Sequence, residues 1–270
     1  EGQAGLGYLG TGGALAGTCF KMCVTSNNYL YTCGRDINFV RKWDVSTLVG
    51  QNSAFMQSWA VTAPFSIKEN PAVAEEVWLI GDYTIAAPIT NKLWKISAGG
   101  VLSEYDLTYT DVNFKPRDIE FVYNSATALY ELWIVGLNTV NAAANRLQII
   151  SDTSTLVVTP GANMLTSVPI GNNITSNGIR RHSTNDYVYI TSLGPGAADD
   201  TCLIVHPVSK SVLQTTNILA QANQDPWSVI ERTSDGKMFV GCYGDDTPGG
   251  HGQSAMMVID YISQNIDLSA

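Results

Sequence analysis

Apolar and β-branched residues along this chain gather in short runs of about six, and no run repeats at helical spacing. Five of the runs share one form: Tyr29–Gly34 (YLYTCG), Glu76–Gly81 (EVWLIG), Glu131–Gly136 (ELWIVG), Tyr187–Ser192 (YVYITS) and Lys237–Cys242 (KMFVGC). Each has an aromatic residue at its third position. These aromatics, Tyr31, Trp78, Trp133, Tyr189 and Phe239, stand 47, 55, 56 and 50 residues apart. Downstream of each, an apolar segment ends in Val or Ile followed by Ser: Val45-Ser46, Ile96-Ser97, Ile150-Ser151, Val208-Ser209 and Ile262-Ser263, spaced 51, 54, 58 and 54 residues apart. Another apolar segment precedes the aromatic run, as in Phe20–Val24, Ile119–Val122 and Trp227–Ile230. A shorter one follows the serine, as in Thr155–Thr159 and Ser211–Thr215. Clusters of Gly, Asn, Ser and Pro separate these segments, so the pattern predicts four short strands in each unit of about 50 residues.

Four-stranded units at this period resemble the blades of β-propellers. The resemblance covers residues 18–270 and implies an all-β fold, a five-bladed β-propeller of four-stranded antiparallel blades in a single domain. It rests on strand pattern alone. Trp43-Asp44 occurs once, and Gly99-Gly100 and Gly249-Gly250 fall at different places in their units, so neither a WD40 nor a kelch signature repeats. A blade is a small sheet with two apolar faces, each buried only when a neighbour stacks on it. The aromatic column therefore reads as packing between sheets, with rings of about 150–250 Å² each. Residues 1–17, rich in Gly, Ala and Leu without alternation, read as an N-terminal arm suited to packing on a partner subunit.

Composition narrows the partners. Hydrophobic residues make up 45% of the chain, enough for a packed core, while charged residues make up 14%, against roughly 25% in ordinary soluble domains. Ser, Thr, Asn, Gln and Gly carry the polar share. A net charge of -9 and a pI near 4.7 repel phosphate backbones, and only the short Arg180-Arg181 and Arg41-Lys42 pairs run against this, so nucleic acid is not an expected partner. No apolar run approaches the ~18 residues that a spanning helix needs. The five cysteines show no zinc-type spacing, and those inside apolar runs read as small buried hydrophobes.

The resemblance implies that the connections between second and third strands, and those between blades, emerge on one face. The distance from aromatic to serine column changes along the chain, 15, 19, 18, 20 and 24 residues, so that face is the elaborated one. Its expected binding residues are Arg35, Asp36, Asp82, Tyr83, Asn138, Asp199, Asp200, Tyr243, Asp245 and Asp246. Asp245-Asp246 with Asp199-Asp200 could supply oxygen ligands to calcium, but neither pair has the alternating spacing of a calcium loop, and no cofactor or metal is assigned. His182, His206 and His251 are scattered without a zinc or triad pattern and read as structural.

Five-bladed glycosidases set the enzyme alternative, in which Glu69, Asp118 and Glu231 would be the catalytic carboxylates around the axis. The first unit's leading segment, Phe20–Val24, holds no acid, which departs from that pattern, and no catalytic residue is assigned. The low charge and abundance of small polar residues resemble those of virion and other extracellular assembly proteins. The expected function is a non-enzymatic structural and recognition module of a virus or phage particle, as a tail, fibre or capsid-decorating component. It would dock other protein subunits or a host surface, with a glycan as the alternative ligand of a lectin or glycosidase.

Overall fold

The computed structural model describes residues 21–34, 38–46, 54–81, 92–109, 114–138, 145–158, 162–171, 175–194, 200–217, 224–244 and 255–259. Within them the chain is all-β, interrupted by one 3-10 turn at Thr153–Thr155. Every aromatic run forms the second strand of an antiparallel meander.

The chain forms two compact units. In the first, β1 (Lys21–Val24), β2 (Tyr29–Cys33), β3 (Phe39–Asp44) and β4 (Ala54–Ala60) make one sheet in chain order. A second sheet holds β5 (Pro64–Glu69), β6 (Val77–Gly81), β7 (Lys92–Ile96) and β8 (Leu102–Thr108), and a short later strand, β12 (Ala162–Met164), adds to its β8 edge. In the second unit, the third meander comprises β9 (Phe114–Asn124), β10 (Leu129–Asn138), β11 (Asn145–Ile150) and β13 (Thr166–Gly171). The fourth comprises β14 (Thr175–Arg181), β15 (Val188–Leu193), β16 (Thr201–Val205) and β17 (Val212–Asn217), and a single bridge, Leu137 to Thr175, joins it to the third. Three described strands, β18 (Gln224–Arg232), β19 (Lys237–Gly244) and β20 (Ala255–Ile259), form the last.

Alternation along each strand sends neighbouring side chains to opposite faces, so each meander is apolar on two sides. In the first unit, Tyr31, Cys33, Val40 and Trp59 pack against Ile67, Val77, Leu79, Trp94 and Ile96 of the second sheet. In the second unit, Trp133, Val135, Leu147 and Ile149 meet Ile179, Val188, Ile190 and Leu203. The opposite face of that fourth meander, with Tyr187, Tyr189, Cys202 and Ile204, meets Val229, Met238, Val240 and Cys242. Tyr31, Trp133 and Tyr189 thus fill the space between their own sheet and the next, as the aromatic column predicts.

Polar groups tie the strand ends. Asn70 Nδ2 donates to Glu76 Oε1 at 2.8 Å, the same oxygen accepts the Trp78 indole N–H at 2.8 Å, and Asn70 Oδ1 takes the Ala72 amide at 3.0 Å. The third meander repeats this brace: Asn124 Nδ2 donates to Glu131 Oε1 at 2.7 Å, Trp133 Nε1 to Oε2 at 2.8 Å, and the Ala126 amide to Asn124 Oδ1 at 3.0 Å. Both of these indole N–H groups therefore have a partner, which offsets the cost of burying tryptophan in the column.

One expected strand is absent. Of the segment Thr155–Thr159, the described residues 155–158 form no strand of the third meander; its outer strand is β13 instead. Asp152 accepts the Ser154 amide at 2.8 Å and the Ser154 hydroxyl at 2.6 Å, and Thr155 Oγ1 donates back to the Asp152 carbonyl at 2.8 Å. These local bonds offer the backbone a turn in place of a ladder. The described serines of the second column, Ser46, Ser97, Ser151 and Ser209, lie beyond the third strands, while Ile262-Ser263 and the N-terminal arm fall outside the described residues.

Trp133→Ala removes a fully buried ring and leaves Glu131 without its indole partner. Its unfolding free energy should fall by about 3–5 kcal/mol, read from the urea midpoint at unchanged slope. A loss below about 1 kcal/mol would show that the column does not carry the core.

Candidate functional site

The leading strands of successive meanders are neighbours, β1 with β5 in the first unit, and β9 with β14 and β14 with β18 in the second. Four of them carry a bulge at the same place against their second strand. The register shifts between Pro64 and Ser66, between Pro116 and Asp118, between Ser176 and Gly178, and between Pro226 and Ser228. Proline has no N–H to give the ladder, so three of the four shifts sit beside a residue that cannot donate to it. The additional residues are Phe65, Arg117, Asn177 and Trp227. A bulge re-aims its side chain, which is why such sites recur beside binding surfaces.

In the second unit three of these residues meet. Arg117, 9% exposed, donates from Nη1 to Asn177 Oδ1, and Asn177, 3% exposed, donates from Nδ2 to the Pro226 carbonyl at 2.9 Å. The Arg117 guanidinium stands 5.4 Å from the ring centre of the half-buried Trp227, in reach of a cation–π contact. Glycine makes the approach feasible: a Cβ on Gly178 would lie 2.9 Å from Ser228 Cα and 3.1 Å from the Trp227 carbonyl, and one on Gly136 would lie 2.1 Å from the Lys115 carbonyl. The result is a guanidinium, a carboxamide and an indole fixed on three adjacent strands. The indole is the exposed member of the set and can stack a planar or apolar group, while the guanidinium and the carboxamide are buried against each other beside it.

The three carboxylates of the glycosidase alternative hold strands together. Glu69 accepts the Ser26 amide at 2.9 Å, the Ser26 hydroxyl at 2.9 Å and the Glu75 amide at 3.0 Å. Glu231 does the same for the equivalent turn of the fourth meander, accepting the Ser183 amide at 2.9 Å and its hydroxyl at 2.6 Å. Asp118 Oδ2 accepts the Ile179 amide of β14 at 3.2 Å, and its Oδ1 the Ile119 amide at 3.0 Å. Asp118 sits by the bulge, paired with Val135, whereas Glu231 pairs with Met238 at the turn end of its strand.

Of the expected loop residues, Asp200 is 1% exposed, and its Oδ1 accepts the Gly194 amide at 3.0 Å, closing the connection between β15 and β16. Asn138 ends β10 opposite Phe114, and Tyr243 lies on β19 opposite Asp225. Arg35, Asp36, Asp82, Tyr83, Asp199, Asp245 and Asp246 lie outside the described residues. Among the described residues no cluster of three or more His, Cys, Asp or Glu side chains could hold a metal ion. His182 Nδ1 accepts the Thr184 amide at 3.1 Å while its Nε2 meets the Gly236 carbonyl at 2.9 Å, so this ring bridges two turns. Arg117, Asn177 and Trp227 were not singled out by residue type. The signal that marks two of them is the column Pro64-Phe65-Ser66, Pro116-Arg117-Asp118 and Pro226-Trp227-Ser228 at the head of three leading strands; Ser176-Asn177-Gly178 holds the same position without a proline.

Gly178→Ala tests how closely β14 and β18 must approach. Overpacking there should cost about 1–3 kcal/mol in urea unfolding, and a neutral outcome would mean that the two strands are free to part at the bulge.

No family model matches the sequence, and no curated protein matches it. Solved structures do. A hydrazine synthase chain from Kuenenia stuttgartiensis is similar with a TM-score of 0.58 at 14% identity, over 82% of this chain and 60% of that one. A streptogramin B lyase is similar with a TM-score of 0.54 at 14% identity, over 88% of this chain and 66% of that one. The Dos1 propeller follows the chain with a TM-score of 0.55 at 15% identity, over 84% of this chain and 53% of that one. The chain spans between about half and two thirds of the length of these proteins. Their functions differ from one another, so what they share with this all-β chain is the fold, that of a β-propeller.

Proposed function

We propose that this chain is a five-bladed β-propeller that acts as a non-enzymatic recognition module, docking other protein subunits or a host surface. The observation that carries the reading is the fixed Arg117–Asn177–Trp227 set at the bulged ends of the leading strands. In the proposed propeller these ends lie on the same face as the second-to-third-strand connections, where the sequence varies most in length. The blade count is supported by five meanders led by five aromatic runs.

The non-enzymatic side of the reading is supported by the carboxylates. Glu69, Asp118 and Glu231 each accept backbone amides of a neighbouring meander, and a glycosidase would need an acid and a base facing a sugar from opposite sides. The sparse charge and the surface of amides and hydroxyls support a place in an extracellular assembly, such as a virus or phage particle.

Size-exclusion chromatography with light scattering on the isolated chain, followed by a glycan array and a glycosidase-substrate panel, tests the proposal. A defined oligomer with a silent screen is the expected result. Trp227→Ala should keep the unfolding free energy within about 1 kcal/mol of the parent, since the ring is only half-buried, and should reduce the assembled fraction. A monomer, or a chain that cleaves a sugar, would contradict the proposal.

A further inference from the structure

Glu131 gathers more than its brace requires. Besides the Trp133 indole, its Oε2 is met at 2.6 Å by Lys210 Nζ, which reaches it from the turn between β16 and β17 of the fourth meander. Lys210 is a non-glycine residue with φ of 62°, in the left-handed region, and its turn is closed by the Lys210 amide to the His206 carbonyl at 3.0 Å. The ammonium lies 5.2 Å from the centre of the Trp133 ring, and the two side chains of the ion pair are 14% and 5% exposed. An amine and a carboxamide thus share one buried carboxylate, Nζ on Oε2 and Asn124 Nδ2 on Oε1. The second meander has the same Asn70–Glu76–Trp78 brace, but its lysine, Lys95, comes from the same sheet and stands 3.8 Å from Glu76.

Such a grouping sets an amine, which also donates to the Pro207 carbonyl, and a carboxamide on the two oxygens of one buried proton carrier, and amide exchange between side chains so placed is intramolecular. The Ala126 amide donates to Asn124 Oδ1 at 3.0 Å and polarises the carbonyl in the direction that attack requires.

We propose that Lys210 and Asn124 are joined by an isopeptide bond formed at Glu131. Nζ adds to Cγ of Asn124. Two of the three Nζ protons pass through Glu131 to Nδ2 and the third stays on the new amide. The Nζ–Cγ bond forms as the Cγ–Nδ2 bond breaks, and the leaving nitrogen departs as ammonium. No oxidant, reductant or cofactor enters the balance. The bond ties the third meander to the fourth and closes a long loop of chain, which constrains the unfolded state as a disulfide does.

Intact-mass spectrometry of the purified full chain, with peptide mapping, tests this directly. The expected result is a mass below that of the sequence by one ammonia, with Lys210 and Asn124 recovered in one branched peptide. Lys210→Arg keeps a cation beside Glu131 and should carry the full sequence mass. An unmodified parent chain would overturn the proposal. So would an ammonia loss that persists in the arginine variant, or one mapped elsewhere, such as Asn177 before Gly178. Should the variant fail to fold, the peptide map of the parent chain decides alone.

Discussion

A short antiparallel sheet with apolar side chains on both faces cannot leave either face in water, and the rest of this structure follows from that. In the fourth meander Val188 and Ile190 point one way, while Tyr187 and Tyr189 point the other. Each set is buried against a different neighbour. A single meander would expose half its apolar area at roughly 25 cal/mol per Å², so stability belongs to stacked sheets rather than to any one of them. This is also why large rings recur at the third position of each second strand, where the gap between sheets has to be filled.

Stacking leaves the polar ends of the strands to be satisfied, and the two ends are treated differently. At the turn end, carboxylates close the gaps between meanders: Glu69 holds the Ser26 turn and Glu231 the Ser183 turn, each through a backbone amide and a hydroxyl. At the other end the ladder gives way to bulges, and the side chains released from pairing include a guanidinium, a carboxamide and an indole. One end is therefore laced by charge-assisted hydrogen bonds. The opposite end offers the half-buried Trp227 ring, with Gly178 and Gly136 allowing the backbones to come close.

The second strands were legible in the sequence because short continuous runs of aromatic and β-branched residues, bounded by Gly, Asn and Ser, leave little alternative, and all five runs are strands. Thr155–Thr159 misleads for a local reason: its Val-Val pair suggests a strand, but Asp152, Ser154 and Thr155 bond their own backbone first. The carboxylates were legible as residues, but their partners were not. Glu69 meets its serine 43 positions away and Glu231 meets its own 48 positions away, partnerships that no local pattern displays. Arg117, Asn177 and Trp227 differ in residue type, and only the bulge position connects all three, with a proline ahead of Arg117 and Trp227 alone.

The account rests on adjacent meanders being held together at the turn end by buried carboxylates, and a double-mutant cycle between Glu231 and Ser183 probes that contact alone. Unfolding free energies of Glu231→Ala, Ser183→Ala and the double variant give the coupling. A stabilising coupling of about 1–3 kcal/mol is predicted, as for a hydrogen bond to a buried charged group. Additive losses, with no coupling beyond about 0.5 kcal/mol, would contradict it and show that this contact does not tie the fourth meander to the last.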